Sequence, residues 1–174
     1  MTVDLESPMP YAIEMETAVF AAYGGVMATI ATLERNLHIV QVNKRIALAR
    51  KEGRVLAVDP FLKAARMGFQ ELVNMVAPRC DPDPSLASDL TSAVKRRNYL
   101  CHDFWYENVN AMLTEESRRV LLAELVRDAE TFEDINDRLV QTVVDPSMKA
   151  LGLDPEEGMW IALAFLKAHA EENK

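Results

Sequence analysis

Arg97, Asn98 and His102 stand within one short run, Lys95-Arg96-Arg97-Asn98-Tyr99-Leu100-Cys101-His102, followed by Asp103-Phe104-Trp105-Tyr106. An arginine offers a planar cationic fork that grips phosphate through paired hydrogen bonds, and it keeps its proton even when buried. A histidine titrates near neutrality, so it can take or give a proton in water. Asparagine can hydrogen-bond a phosphate or orient the histidine. Together these side chains supply a cation for a charged phosphorane and a group for proton transfer. On a helix, His102 lies about 140° round from Arg97 and about 7.5 Å further along the axis.

The element that must hold them reads as one helix over 84–112. At about 100° per residue, Leu86, Leu90, Ala93, Val94, Leu100, Cys101, Phe104 and Met112 share one arc. Arg97 points into the centre of that arc, where an unpaired charge is costly. It must therefore meet an anion, a set of carbonyls or a shared wet interface. Asn98, His102, Trp105 and Val109 follow as a second stripe along the border. A purely structural role would pair Arg97 with Asp103, Glu107, Glu14 or Glu16, and would have His102 donate to a carbonyl.

Arginine, a polar residue, three further positions and then histidine, on the third long helix of a small bundle, resemble the signature of the HEPN superfamily. Here the match reads Arg97, Asn98, three intervening residues and His102, with an aromatic run after the histidine. The resemblance implies an up-and-down bundle of about five helices that dimerises across this face. Two Arg/His pairs would then meet and cut RNA without a metal ion or cofactor, in a bacterial toxin or defence setting. An antitoxin or a nucleotidyltransferase is the implied partner. Some members carry a tyrosine two positions after the histidine, which such a nucleotidyltransferase modifies; this chain has Phe104 there, with Tyr99 and Tyr106 nearby. HEPN domains also serve as non-catalytic dimeric scaffolds, which gives the alternative of a face that binds a nucleotide or a protein.

In a ribonuclease cleft, His102 would act as general acid or base and Arg97 as phosphate ligand, one pair per subunit across a two-fold axis. The products would be a 2′,3′-cyclic phosphate and a 5′-hydroxyl. Lys95 and Arg96 are candidate substrate contacts, against the plainer reading of a solvated helix face. Tyr99 and Tyr106, with Trp105, could stack bases, against the plainer reading of bundle or dimer packing.

The elements around this run are all helical, and no alternating strand pattern is strong enough to seed a sheet. The chain has 174 residues and 49% hydrophobic composition, enough for one core. The expected layout is an N-terminal tail over 1–9 and a single helical bundle domain over 10–174. A first helical segment runs towards Gly53 through Ile13, Val19, Phe20, Met27, Ile30, Leu33, Leu37, Val40 and Ile46. Gly24-Gly25, amid Ala21, Ala22 and Ala28, predicts an interruption where another helix packs close. A connector over 54–58 precedes Asp59-Pro60, which starts a helix ending before Pro78. Three prolines within 77–84 separate it from the helix carrying Arg97. Thr114-Glu115-Glu116 caps a long helix with Leu121, Leu125, Phe132, Ile135, Leu139 and Val143 facing the core. Asp154-Pro155-Glu156-Glu157 starts a last helix through Trp160, Leu163 and Leu166.

The net charge of −8 argues against broad binding to duplex nucleic acid, which needs a basic surface. Lys95, Arg96 and Arg97 with Arg118 and Arg119 nonetheless concentrate positive charge mid-chain. The acidic start lacks an export signal, and no later stretch approaches the roughly 20 apolar residues of a membrane span. The expectation is a soluble, cytoplasmic protein with no membrane partner. Cys80 and Cys101 have neither metal-ligand spacing nor a disulfide framework. A phosphate loop would need a lysine after Gly24-Gly25. A di-iron bundle would need a glutamate three positions before His38, His102 or His169. Glu115-Glu116 is followed by Ser117, Arg118 and Arg119 rather than the further glutamate of a magnesium-binding pyrophosphatase. His38, four residues after Glu34, superficially echoes the central motif and reads as structural. His169 reads as a charge favourable at a helix end.

Overall fold

Apolar residues spaced alternately by four and three define the inner face of α1 (Pro10–Lys51), where Val26, Ile30, Leu33, Leu37 and Val40 are all buried. That spacing keeps one stripe turned towards a neighbour over many turns. The computed structural model describes residues 10–54 and 67–154. The described residues form an all-α bundle, with no strand among them. The tail over 1–9, the helix start at Asp59-Pro60, and the last helix through Trp160, Leu163 and Leu166 with His169 lie outside the described residues.

After α1 come α2 (Phe69–Val76), α3 (Pro84–His102), the short α4 (Phe104–Asn108), α5 (Glu115–Leu139) and α6 (Asp145–Ala150). The cap expected at Thr114 forms, and Asp83 supplies a second. Asp83 accepts a hydrogen bond from the Leu86 amide at 3.2 Å, with Pro84 in the first turn of α3. Thr114 accepts one from Ser117 at 3.2 Å at the start of α5. Each cap satisfies an amide that the helix itself leaves unpaired. All six core positions expected on and just beyond α5 are buried, from Leu121 to Val143.

α1 runs in the same direction as α5 and α6, and polar contacts to α5, to α6 and to the turn after it keep register. Asn36 Nδ2 donates to Asn136 Oδ1 at 2.7 Å, Asn43 Nδ2 to Ser147 Oγ at 2.8 Å, and Arg50 Nη1 to the Leu151 carbonyl at 2.7 Å. α3 runs antiparallel to α5, and Tyr23 on α1 donates its hydroxyl to the Leu100 carbonyl at 2.9 Å. Burial pushes the Tyr23 hydroxyl pKa up, with the Cys101 thiol adding to the effect. Between α5 and α6 the chain passes through a π-helical turn, Val140–Val144, in which the Asp145 amide bonds back to the Val140 carbonyl. Pro146 follows, and because a proline has no amide hydrogen and crowds the preceding turn, the wider turn lets the helical path continue.

Four expectations need correction. Gly24 and Gly25 do not interrupt α1, and among the described residues they meet no other helix: both are exposed, and a Cβ at either would find no described atom within 4 Å. They lie opposite the buried stripe, so the small residues there look outward. The helix expected to run from Asp59-Pro60 is not continuous to Pro78, because Met67 and Gly68 are non-helical and Gly68 is extended, with ψ 160°. The single helix over 84–112 is broken at Asp103 and passes through α4 into a 3-10 segment, Val109–Leu113. Phe104 is fully buried against Tyr23, Tyr99 and Trp105, so core packing sets the path there. Finally, α1 is long and apolar enough to cross a membrane by length and composition, with a window of mean hydropathy 1.3. Its outward alanines add to the apolar count of its inward face.

Candidate functional site

Two guanidinium clusters fix α3 against α5. At its start, Arg138 of α5 donates from Nε to Asp83 and from Nη1 to Asp89, each at 2.8 Å, and from Nη1 to its own-helix neighbour Asp134 at 3.1 Å. Seven residues beyond Asp89, Arg96 donates from Nε to Asp128 at 2.8 Å and from Nη2 to Asp128 and Glu124. The same guanidinium lies over the Tyr99 ring, 4.7 Å from its centroid. Hydrogen bonds from Arg96 to Asp128 are the largest cause holding the guanidinium in its charged form. At the far end, Phe20 and Tyr23 of α1 pack against Trp105 with centroids 5.0 Å apart. α3 is therefore held on one side and at both ends.

The opposite side carries Arg97, Asn98 and His102. Arg97 is half-buried, not enclosed as the centre of an apolar arc would be, because it stands at the margin of the packed face beside buried Val94 and Leu100. Its Nη1 donates to Asn98 Oδ1 at 3.3 Å, and its Nε is buried with no hydrogen-bond partner. Ion pairs to Asp103, Glu107, Glu14 or Glu16 do not form. Among the described residues Arg97 has no carboxylate partner. His102 is exposed at the last position of α3 and makes no hydrogen bond to a described residue, including any carbonyl.

The remaining candidates divide clearly. Arg96 is committed to Asp128 and Glu124, so its charge is matched within the fold and it is not a free substrate contact. Tyr99 is half-buried, accepts a hydrogen bond from Asn108 Nδ2 at 2.9 Å and packs edge-on to Phe104, a structural position. Lys95 and Asn98 are exposed, and Tyr106 is 87% exposed, with its ring open to a partner. The mid-chain basic concentration is thinner than the sequence suggests: Arg118 donates to the Met112 carbonyl at 2.5 Å and Arg119 pairs with Glu115 at 2.6 Å. Lys95, Asn98 and His102 are thus exposed, Arg97 lies half-buried further round the helix, and the one hydrogen bond among these candidates joins Arg97 to Asn98.

Sequence reasoning missed the two clusters, although the pairs Glu124/Asp128 and Asp134/Arg138, each four apart on one helix, were a usable signal. It also missed Tyr23, for which no local pattern exists. Among the described residues no three His, Cys, Asp or Glu side chains converge as metal ligands. Comparison with protein-family models, with curated proteins and with solved structures gives no match.

Proposed function

We propose that this protein is a HEPN-like, metal-independent RNA endonuclease of a bacterial toxin or defence system, acting in the cytoplasm as a symmetric homodimer. The observation that carries this reading is Arg97: of three consecutive cations, it is the half-buried one without a carboxylate among the described residues, bonded to Asn98 on the helix that ends at His102. A guanidinium so placed suits an added anion, and phosphate fits its fork. His102 removes the proton from a ribose 2′-hydroxyl, whose oxygen attacks the phosphorus. The bond to the 5′-oxygen breaks as a proton reaches it from the partner's imidazole, leaving a 2′,3′-cyclic phosphate and a 5′-hydroxyl. Arg97 stabilises the pentacoordinate charge between these steps. Exposed Tyr106, Val109 and Leu113 supply the apolar contact to the second copy, which brings the two Arg97/His102 pairs together.

The test is cleavage of a mixed set of labelled RNAs in EDTA by wild type, Arg97→Ala and His102→Ala, each checked for native dimer size by light scattering. Cleavage by wild type alone, with cyclic-phosphate ends, is the expected result. A folded wild-type dimer that cuts none of them favours the second reading, a non-catalytic scaffold whose same face binds a nucleotide or protein.

A further inference from the structure

The face of α1 turned away from the core is open and carries no charge over most of its length. No charged residue stands between Glu16 and Glu34, yet the apolar window of α1 is only 22% buried. A helix so apolar is ordinarily covered on every side. Gly24 and Gly25 lie at the middle of this face, where an added Cβ would meet no described atom within 4 Å. From that midpoint the outward stripe reads alike in both directions: Gly24 answers Gly25, Ala21 answers Ala28 and Thr17 answers Thr32. At the two ends the match is of opposite charges, Glu14 answering Arg35. Steps of three and four residues keep these side chains on one side of the helix. Those from Glu14 to Ala28 are exposed, and Thr32 and Arg35 are half-buried. Among the described residues neither Glu14 nor Arg35 has an ion-pair partner, and Arg35 Nε is buried with no hydrogen bond.

We propose that this face pairs with the same face of a second copy, the two α1 helices antiparallel about an axis between Gly24 and Gly25. Charge selects the occupant and its direction. A two-fold contact sets each residue against its mirror position, so glycines and alanines meet at the centre, where two backbones can approach closely. Each end then sets Glu14 against the partner's Arg35, about 16 Å from the axis, and both charges gain an opposite neighbour. A parallel pair would set like charges together instead. Thr32 Oγ1 already donates to the Ala28 carbonyl at 3.1 Å, so covering it strands no donor. Small side chains cover little area apiece, so this pairing is weak and joins chains at higher concentration than the contact beyond His102. It does not depend on the role of Arg97.

Sedimentation equilibrium of the full chain over a rising concentration series tests the pairing. Every comparison is made in a Val109→Glu/Leu113→Glu background, which removes the other contact and separates this result from any failure of the Arg97 reading. The expected mass climbs from one chain towards two as concentration increases. Glu14→Arg weakens the association about tenfold, because two ion pairs become two repulsions. Arg35→Glu does the same, and the chain carrying both swaps recovers the association. Gly25→Leu abolishes it by holding the backbones apart, although leucine suits a helix and its Cβ meets no described atom. A mass of one chain at every concentration, or a doubly swapped chain no better than its single variants, overturns the proposal. So does association that Gly25→Leu leaves intact. Binding of the chain to phosphatidylcholine vesicles that the charge swaps do not alter would give the face to lipid and overturn it too. Should Arg35→Glu fail to fold, Glu14→Arg and Gly25→Leu decide alone.

Discussion

Neighbouring arginines on α3 have opposite fates. Arg96 is held by Asp128, whose side chain is only 14% exposed, so its removal strands a largely enclosed carboxylate. Arg96→Ala is expected to cost about 1–3 kcal/mol of folding stability in urea denaturation. Arg97 gives up one long hydrogen bond to Asn98, and Arg97→Ala is expected to stay within about 0.5 kcal/mol of wild type. A loss at Arg97 equal to that at Arg96 would assign it a structural role and remove the support for a phosphate ligand. The sequence places both residues on the right helix, but it cannot say which finds a partner, because that depends on acids about thirty positions away on α5. The apolar arc overstated the burial of Arg97 for the same reason: periodicity gives direction around a helix and says nothing of where the packed face stops.

At the scale of elements, helix identity was legible wherever period and cap agreed, as in α5 with Thr114 and its five buried core residues. The path was not legible where long-range packing decides it, as at Asp103, where burial of Phe104 beside Tyr23 breaks the expected helix. The docking of α3 on α5 through its N-cap makes a further expectation. Hydrogen bonds from Arg138, then from Ser85, hold the Asp83 carboxyl well below the usual carboxylate range. A pKa depressed on folding stabilises the protein above the unfolded value, about 3.9, and that stabilisation is lost as pH falls towards the folded one. Melting temperature should therefore fall between about pH 5 and pH 3. Asparagine caps a helix as well as aspartate does, so Asp83→Asn isolates the charge. Its melting temperature should be lower than wild type at neutral pH, with the gap closing in acid; a gap independent of pH would assign the effect to shape.

For the whole molecule, the class and bundle layout followed from composition and period, but which face remains open did not. Beyond His102, Tyr106, Val109 and Leu113 follow one another at three and four residues with exposures of 87%, 60% and 76%. Apolar side chains grouped in this way mark contact surfaces more than scattered ones do. Light scattering should give twice the 19.6 kDa chain mass, and Val109→Glu with Leu113→Glu should return the mass to that of one chain while leaving circular dichroism unchanged. A wild-type monomer would leave the Arg97 face without its second half. The π-helical turn at Val140–Val144 bears on how such a chain tolerates changes in length. A turn of this kind is an α-helix with one residue too many, so deleting Gln141 would restore the ordinary winding while the residues after it keep their facing, Ser147 beside Asn43 and Met148 in the core. The turn thus takes up a one-residue difference in length that an unbroken α-helix would convert into a rotation of about 100° at the distal end.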